Sequence, residues 1–222
     1  MNKKILRWGL VGVACVIFTG CHNDKQVQGN GKVVAEQREL QAFDKLEVDG
    51  DIIVTLSSSQ PKSTMEIRVD QNLLPYITSQ IDQSVLSVTV KPKYHLKPSS
   101  PIQVVLNAQN LREINLSGGV TFVASNLKGD ELDLSVKGAG TTVLKGRETS
   151  VNFNVDGSAH VNAEELRADN VQVRMMGLPQ LTVNTTKRLG VFIQGKGQLT
   201  FFGNPPIVDQ EVHEGGQVVR AG

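Results

Sequence analysis

Five glycines, Gly118, Gly138, Gly157, Gly177 and Gly195, recur at separations of 20, 19, 20 and 18 residues, each between two short runs of alternating apolar and polar residues. The runs read INLSGGVTF, LSVKGAGTTV, FNVDGSAHV, VRMMGLPQL and FIQGKGQLT. A near-constant period of this length marks a chain built from one stacked unit. The second run contains Gly-Ala-Gly, but a glycine-rich phosphate loop must open a helix whose first amides hold the phosphate. Thr141, Thr142 and Val143 follow instead, and β-branched residues favour strand. The glycines are therefore read as corners between strands.

Aligning on the glycines brings apolar residues into four columns. Two before stand Leu116, Val136, Val155, Met175 and Ile193; four before stand Ile114, Leu134, Phe153, Val173 and Val191. Four after stand Phe122, Thr142, Val161, Leu181 and Leu199; six after stand Ala124, Leu144, Ala163, Val183 and Phe201. Thr142 alone is not apolar. Alternation with period two predicts strands with one buried face. The pattern predicts an all-β fold, a parallel β-helix or β-solenoid with coils of about 20 residues, whose columns stack into a continuous interior. Each buried large side chain contributes roughly 1.5–3 kcal/mol, and each corner glycine takes φ > 0 or admits the neighbouring coil.

The same unit appears once earlier, at LEVDGDIIVTL around Gly50, but 68 residues separate Gly50 from Gly118, too many for one coil. Strand-like pieces fall at 65–69, 84–90 and 102–106, a short helical turn is expected over Asn72–Ile77, and KPKYHLKPSS (91–100) reads as a loop. Gly203-Asn204-Pro205-Pro206 stops the periodicity, because proline donates nothing to a ladder. The tail after it is expected to cover the last coil.

The N-terminus has a different logic. Lys3, Lys4 and Arg7 precede the apolar run WGLVGVACVIF, and Thr19-Gly20-Cys21 follows, the pattern of an export signal over residues 1–20. Eleven residues are too few to span a bilayer, which takes about 20. Phe18-Thr19-Gly20-Cys21 resembles a bacterial lipobox, which implies lipid on Cys21 and makes the membrane a partner through that lipid. His22 rather than Asp after the cysteine points to the outer membrane. Residues 21–32 are polar and glycine-containing, with Val27 as the one large aliphatic residue, and read as a flexible tether to a single solenoid domain over 33–222. Cys15 leaves with the signal, so no thiol remains for a disulfide, a metal or a nucleophile. Without the signal, 20 basic side chains face 22 acidic ones, which gives no electrostatic case for nucleic acid.

GNGKVVAEQREL (29–40), FDKLEVDGDIIVTL (43–56), DQNLLPYI (70–77), the repeated units and GQLTFFGNPPIV (197–208) together resemble the auto-transporter adhesin head GIN domain. The resemblance covers about residues 29–208. It implies a β-helix-like fold and an envelope location, and brings no catalytic residues.

Parallel β-helices also carry polysaccharide-cleaving enzymes, which need clustered acids. The column just before each glycine holds Ser117, Lys137, Asp156, Met176 and Gln194, and the column three before holds Asn115, Ser135, Asn154, Arg174 and Phe192, with one acid between them. Asp49 and Asp51 are read as turn residues, and His22, His95, His160 and His213 are scattered. No catalytic residue, metal site or cofactor is assigned. The candidate binding site is an uncharged strip after the corners, Thr141, His160, Asn162, Gln180 and Thr182, suited to a glycan or a partner's surface. The expectation is a non-enzymatic adhesion, recognition or scaffolding module of the cell envelope, with a carbohydrate-active β-helix enzyme as the alternative and assembly through the solenoid ends as a third reading.

Overall fold

The computed structural model describes residues 25–221, so the signal at 1–20 and Cys21 lie outside the described residues. Four long ribbons, Thr121–Gly138, Thr141–Gly157, His160–Gly177 and Gln180–Gly195, stack in parallel register. Leu116, Val136, Val155, Met175 and Ile193 are successive partners, and so are the five corner glycines. All twenty column residues are buried, Thr142 included. This is the β-solenoid that the periodicity predicts.

The corners need glycine for two reasons at once. Gly157 has φ +109, a conformation that costs an L side chain roughly 1–2 kcal/mol. A Cβ on it would stand 2.4 Å from the Gly138 carbonyl oxygen one coil below. That same oxygen accepts the Ser158 amide at 2.9 Å, so the corner is held by the stack it must not obstruct. Variation in repeat length is taken up on the third side, where the pairing shifts register between Ala124 and Leu127, Val143 and Gly146, and Ala163 and Arg167.

The 68-residue interval resolves into a rung inserted out of chain order. Lys45–Asp49 and Ile52–Ser57 lie directly beneath Glu113–Gly118 and Thr121–Ser125, with Leu46 beside Ile114, Val54 beside Phe122, and the Gly50 amide donating to Ser117 O at 3.1 Å. Beneath that rung run Val85–Val90 and Ile102–Asn107, parallel to it, with Leu86 beside Leu46 and Val104 beside Val54. Antiparallel strands then close this end. Thr64–Asp70 pairs with Val33–Glu39 and with Ile102–Asn107, and Ile77–Asp82 pairs with Val85–Val90. The expected helical turn is a 3-10 helix at Leu74–Tyr76.

Two segments differ from the sequence reading. Lys25–Gln28, assigned to the tether, is a strand, and Tyr94–Lys97, assigned to a loop, is its parallel partner. Val27 and Leu96 face each other in this pair and pack half-buried against the core, so one apolar residue in a polar segment suffices once a partner supplies the other. The C-terminal tail covers the last coil as expected, and does so by forming a further rung on it. Ile207–His213 pairs with Arg188–Gln194 and Gln217–Arg220 with Gln198–Phe201, with Gly215 at φ +89 near their corner.

Candidate functional site

Stacking brings the expected strip together. Thr141, His160 and Gln180 are successive register partners, as are Asn162 and Thr182, and all five side chains are exposed or half-exposed. Parallel in-register pairing aligns them because the corner glycines fix the phase of every coil.

A second surface, on the sheet that precedes the corners, is more strongly shaped. Glu113, Asp133, Asn152, Gln172 and Gly190 form one outward column, and Asn115, Ser135, Asn154, Arg174 and Phe192 form the next. All of them but Gly190 line an open trough of about 600 Å³ running along the stack. Five rungs at about 4.8 Å give it a length of roughly 19 Å. At its C-terminal end the Arg174 guanidinium lies 4.7 Å from the centre of the Phe192 ring, and His213 approaches the same ring at 5.9 Å. Gly190 leaves room for the Gln172 amide to lie across it, where a Cβ would come within 2.1 Å of Oε1.

At the other end Glu113 and Asp133 occupy adjacent rungs of one column, five before each glycine; in sequence Asp133 reads only as part of a solvated charge cluster with Asp130 and Glu131 at a coil junction. The Lys45 ammonium, 2.7 Å away, and the Asn115 amide, donating at 2.9 Å, hold the Glu113 carboxyl below the ordinary range. Asn152 donates to Asp133 at 2.6 Å. The partners of Glu113 favour a fixed anion over a proton donor.

Two buried carboxylates stand apart from both surfaces. Asp70 accepts hydrogen bonds from the Gly31 amide (2.7 Å), the Ser99 amide (2.8 Å) and the Ser99 hydroxyl (2.7 Å). The Ser99 hydroxyl and amide, with the Gly31 amide, hold its pKa below the usual value. Asn72 accepts from the Asn30 amide and donates to Gln28 O, so the GNGK and DQN stretches are two halves of one clasp. Glu148 faces inward on the third side, in the column Gly129, Glu148, Ala168, Thr185. Its Oε2 has no hydrogen-bond partner, and burial, with the nearby charge of Asp130, pushes its pKa to about 7.

With this geometry in view, a family model described as "Putative auto-transporter adhesin, head GIN domain" matches residues 42–205. A solved structure from Bacteroides fragilis, described as a "putative adhesin", superposes with a TM-score of 0.70 at 17% identity, over 88% of this chain and 100% of its own. A "putative adhesin" from Parabacteroides merdae gives 0.58 at 23% identity, over 89% and 100%. A "putative lipid binding protein" from Parabacteroides distasonis gives 0.55 at 18%, again over 89% and 100%. At these identities the solved structures establish the shared fold. No curated protein matches the chain in sequence.

Proposed function

The chain belongs to the head GIN domain family, and we propose that it is a non-enzymatic recognition module of the cell envelope, exported and, from the Phe18-Thr19-Gly20-Cys21 motif, held in the outer membrane by lipid on Cys21. Its ligand is an extended glycan or a partner's surface lying along the stack. The observation that carries this reading is the trough on the face before the corners. Planar amides from Asn115, Asn152, Asn154 and Gln172 stand on three of its five rungs, and the Arg174–Phe192 pair closes one end. Hydroxyl-rich polymers suit such an array, because its amides, hydroxyl and carboxylates offer both donors and acceptors on rungs of constant spacing. The rigid solenoid keeps that spacing without an ordering cost at binding.

Glycan-array and cell-binding measurements on the intact chain test it. Asn154→Ala with Arg174→Ala and Phe192→Ala should lower binding at least tenfold, while Thr141→Ala with His160→Ala and Gln180→Ala should leave it unchanged. The reverse pattern transfers the site to the strip after the corners, and loss in neither removes both faces. A second reading, glycan cleavage, rests on the adjacency of Glu113 and Asp133 on one column, against which stand the Lys45 and Asn115 contacts that favour the Glu113 anion over the proton donor such cleavage needs. Release of reducing ends from a bound polysaccharide, abolished by Glu113→Gln, would establish it in place of simple recognition.

A further inference from the structure

The Lys25–Gln28 and Tyr94–Lys97 pair lies where the chain leaves the anchoring cysteine, and its charge is one-sided. Residues 25–32 and 91–101 contain Lys25, Lys32, Lys91, Lys93 and Lys97 and no acidic residue; Asp24 is the nearest acid in sequence. All five lysines are exposed. The pairing register explains the arrangement. Tyr94 and Leu96 turn inward, Tyr94 against Tyr76 at 4.6 Å and Leu96 toward the core, so the alternate residues Lys93, His95 and Lys97 turn outward. The Lys25 amide donates to Lys93 O at 2.7 Å and the Gly29 amide to Lys97 O at 2.9 Å, which locks the two basic segments side by side. Asp70, the acid beneath them, is buried and committed to Gly31 and Ser99. Asp49 and Asp51 share a cleft with Lys91 and Lys93, and the Asp51 carboxylate rests against Gly119 one rung up.

We infer that this basic ribbon is a membrane-facing surface that lies against anionic lipid headgroups and sets the solenoid's orientation on the bilayer. The inference rests on the proposed lipidation of Cys21. Between Cys21 and Lys25 stand only His22, Asn23 and Asp24, so four Cα steps, at most about 14 Å even when fully extended, separate the lipid from a folded strand. A body held that close cannot turn its nearest surface far from the headgroups. That surface carries the lysines, each worth roughly a fivefold gain in partitioning onto an anionic leaflet. Anchor and basic patch are the two signals that together give stable attachment. The antiparallel end of the solenoid then faces the membrane, and the trough runs away from it.

Lysine-reactivity mapping on the intact chain tests this. Purified chain is bound to neutral phosphatidylcholine vesicles or to vesicles containing anionic phosphatidylglycerol, then treated with a membrane-impermeant acylating reagent and mapped by mass spectrometry. Lys25, Lys93 and Lys97 should label roughly fivefold more slowly on anionic than on neutral vesicles, with the difference removed by 1 M salt. Lys196, six rungs and about 29 Å along the stack, should label equally on both. Equal labelling of the three patch lysines on both vesicle types overturns the inference. Flotation with neutral vesicles reports the lipid anchor separately. If the chain fails to float with them but floats with anionic ones, the anchor reading falls and the patch stands; if it floats with neither, the patch falls too. Lys25→Glu with Lys93→Glu and Lys97→Glu should leave the remaining patch lysines, Lys32 and Lys91, labelling equally on both vesicle types, and slower labelling of them on anionic vesicles would also overturn the inference.

Discussion

The coils from Glu113 to Phe202 and the segment from Lys25 to Asn107 use the same strand chemistry, yet one stacks in chain order and the other does not. In the first, each coil lands on its predecessor, and glycine meets glycine at every corner. In the second, the rung holding Gly50 sits between Glu113–Ala124 above and Val85–Asn107 below, and antiparallel strands finish the end. A parallel ladder does not specify which stretch of chain supplies the next rung. It requires only that apolar residues meet in the right phase, which Leu86, Leu46 and Ile114 satisfy despite their distances in sequence. An end that departs from the repeat can also carry antiparallel strands and so avoid a bare parallel edge.

The sharpest way to break this comparison is at the corners. Gly157→Ala should cost about 4 kcal/mol, from the left-handed backbone plus a clash with Gly138 O that no side-chain motion relieves. Gly50→Ala, with φ +122 but only Val90 and Ile52 side-chain atoms 3.8–4.0 Å from the new Cβ, should cost about 1–2 kcal/mol. Thermal or denaturant unfolding of the two variants checks the difference, and equal costs would mean that close stacking adds nothing.

Next in size is the clasp. Asp70→Ala should abolish amide-exchange protection over residues 25–31 and leave the ribbons from Thr121 to Gly195 protected, because three donors lose their acceptor in the irregular region alone. Its pH dependence has a definite sign. The folded pKa lies below the ordinary carboxylate value of 3.8, so the clasp's contribution is complete above that value and disappears as pH falls through the folded pKa.

A smaller effect tests the odd rung within the regular body. Glu148 is raised from 4.5 to about 7, so the folded state holds a proton that the unfolded chain has released between those values. Its contribution to stability is therefore best below pH 4.5 and declines until about pH 7. Glu148→Gln should stabilise by about 2 kcal/mol at pH 8 and by little at pH 4, measured by denaturant unfolding at both. Smallest is Thr142→Val, which removes a buried hydroxyl without a partner and should add about 1 kcal/mol. Trough variants such as Asn154→Ala should change binding while stability stays within about 0.5 kcal/mol.

Much of the body is legible from residue order, since a glycine every 18 to 20 residues with apolar columns around it leaves few other folds. The trough was only half legible. The column containing Asn154, Arg174 and Phe192 can be written down from the alignment, but its neighbour with Glu113 and Asp133 matters only once the two lie side by side on one concave face. The clasp left no periodic signal, because Asp70 is 39 residues from Gly31 and 29 from Ser99.

The sequence by itself determined the phase of the strands, the identity of the interior residues and the place of the corners, since period-two alternation and glycine's freedom at φ > 0 act within a few residues. Only the tertiary structure decided which rung lies beneath which, that Lys25–Gln28 is bound rather than loose, and that Glu148 points inward. Those outcomes depend on partners distant in the chain, and a ladder's hydrogen bonds and a carboxylate's solvation respond to whatever folding brings alongside.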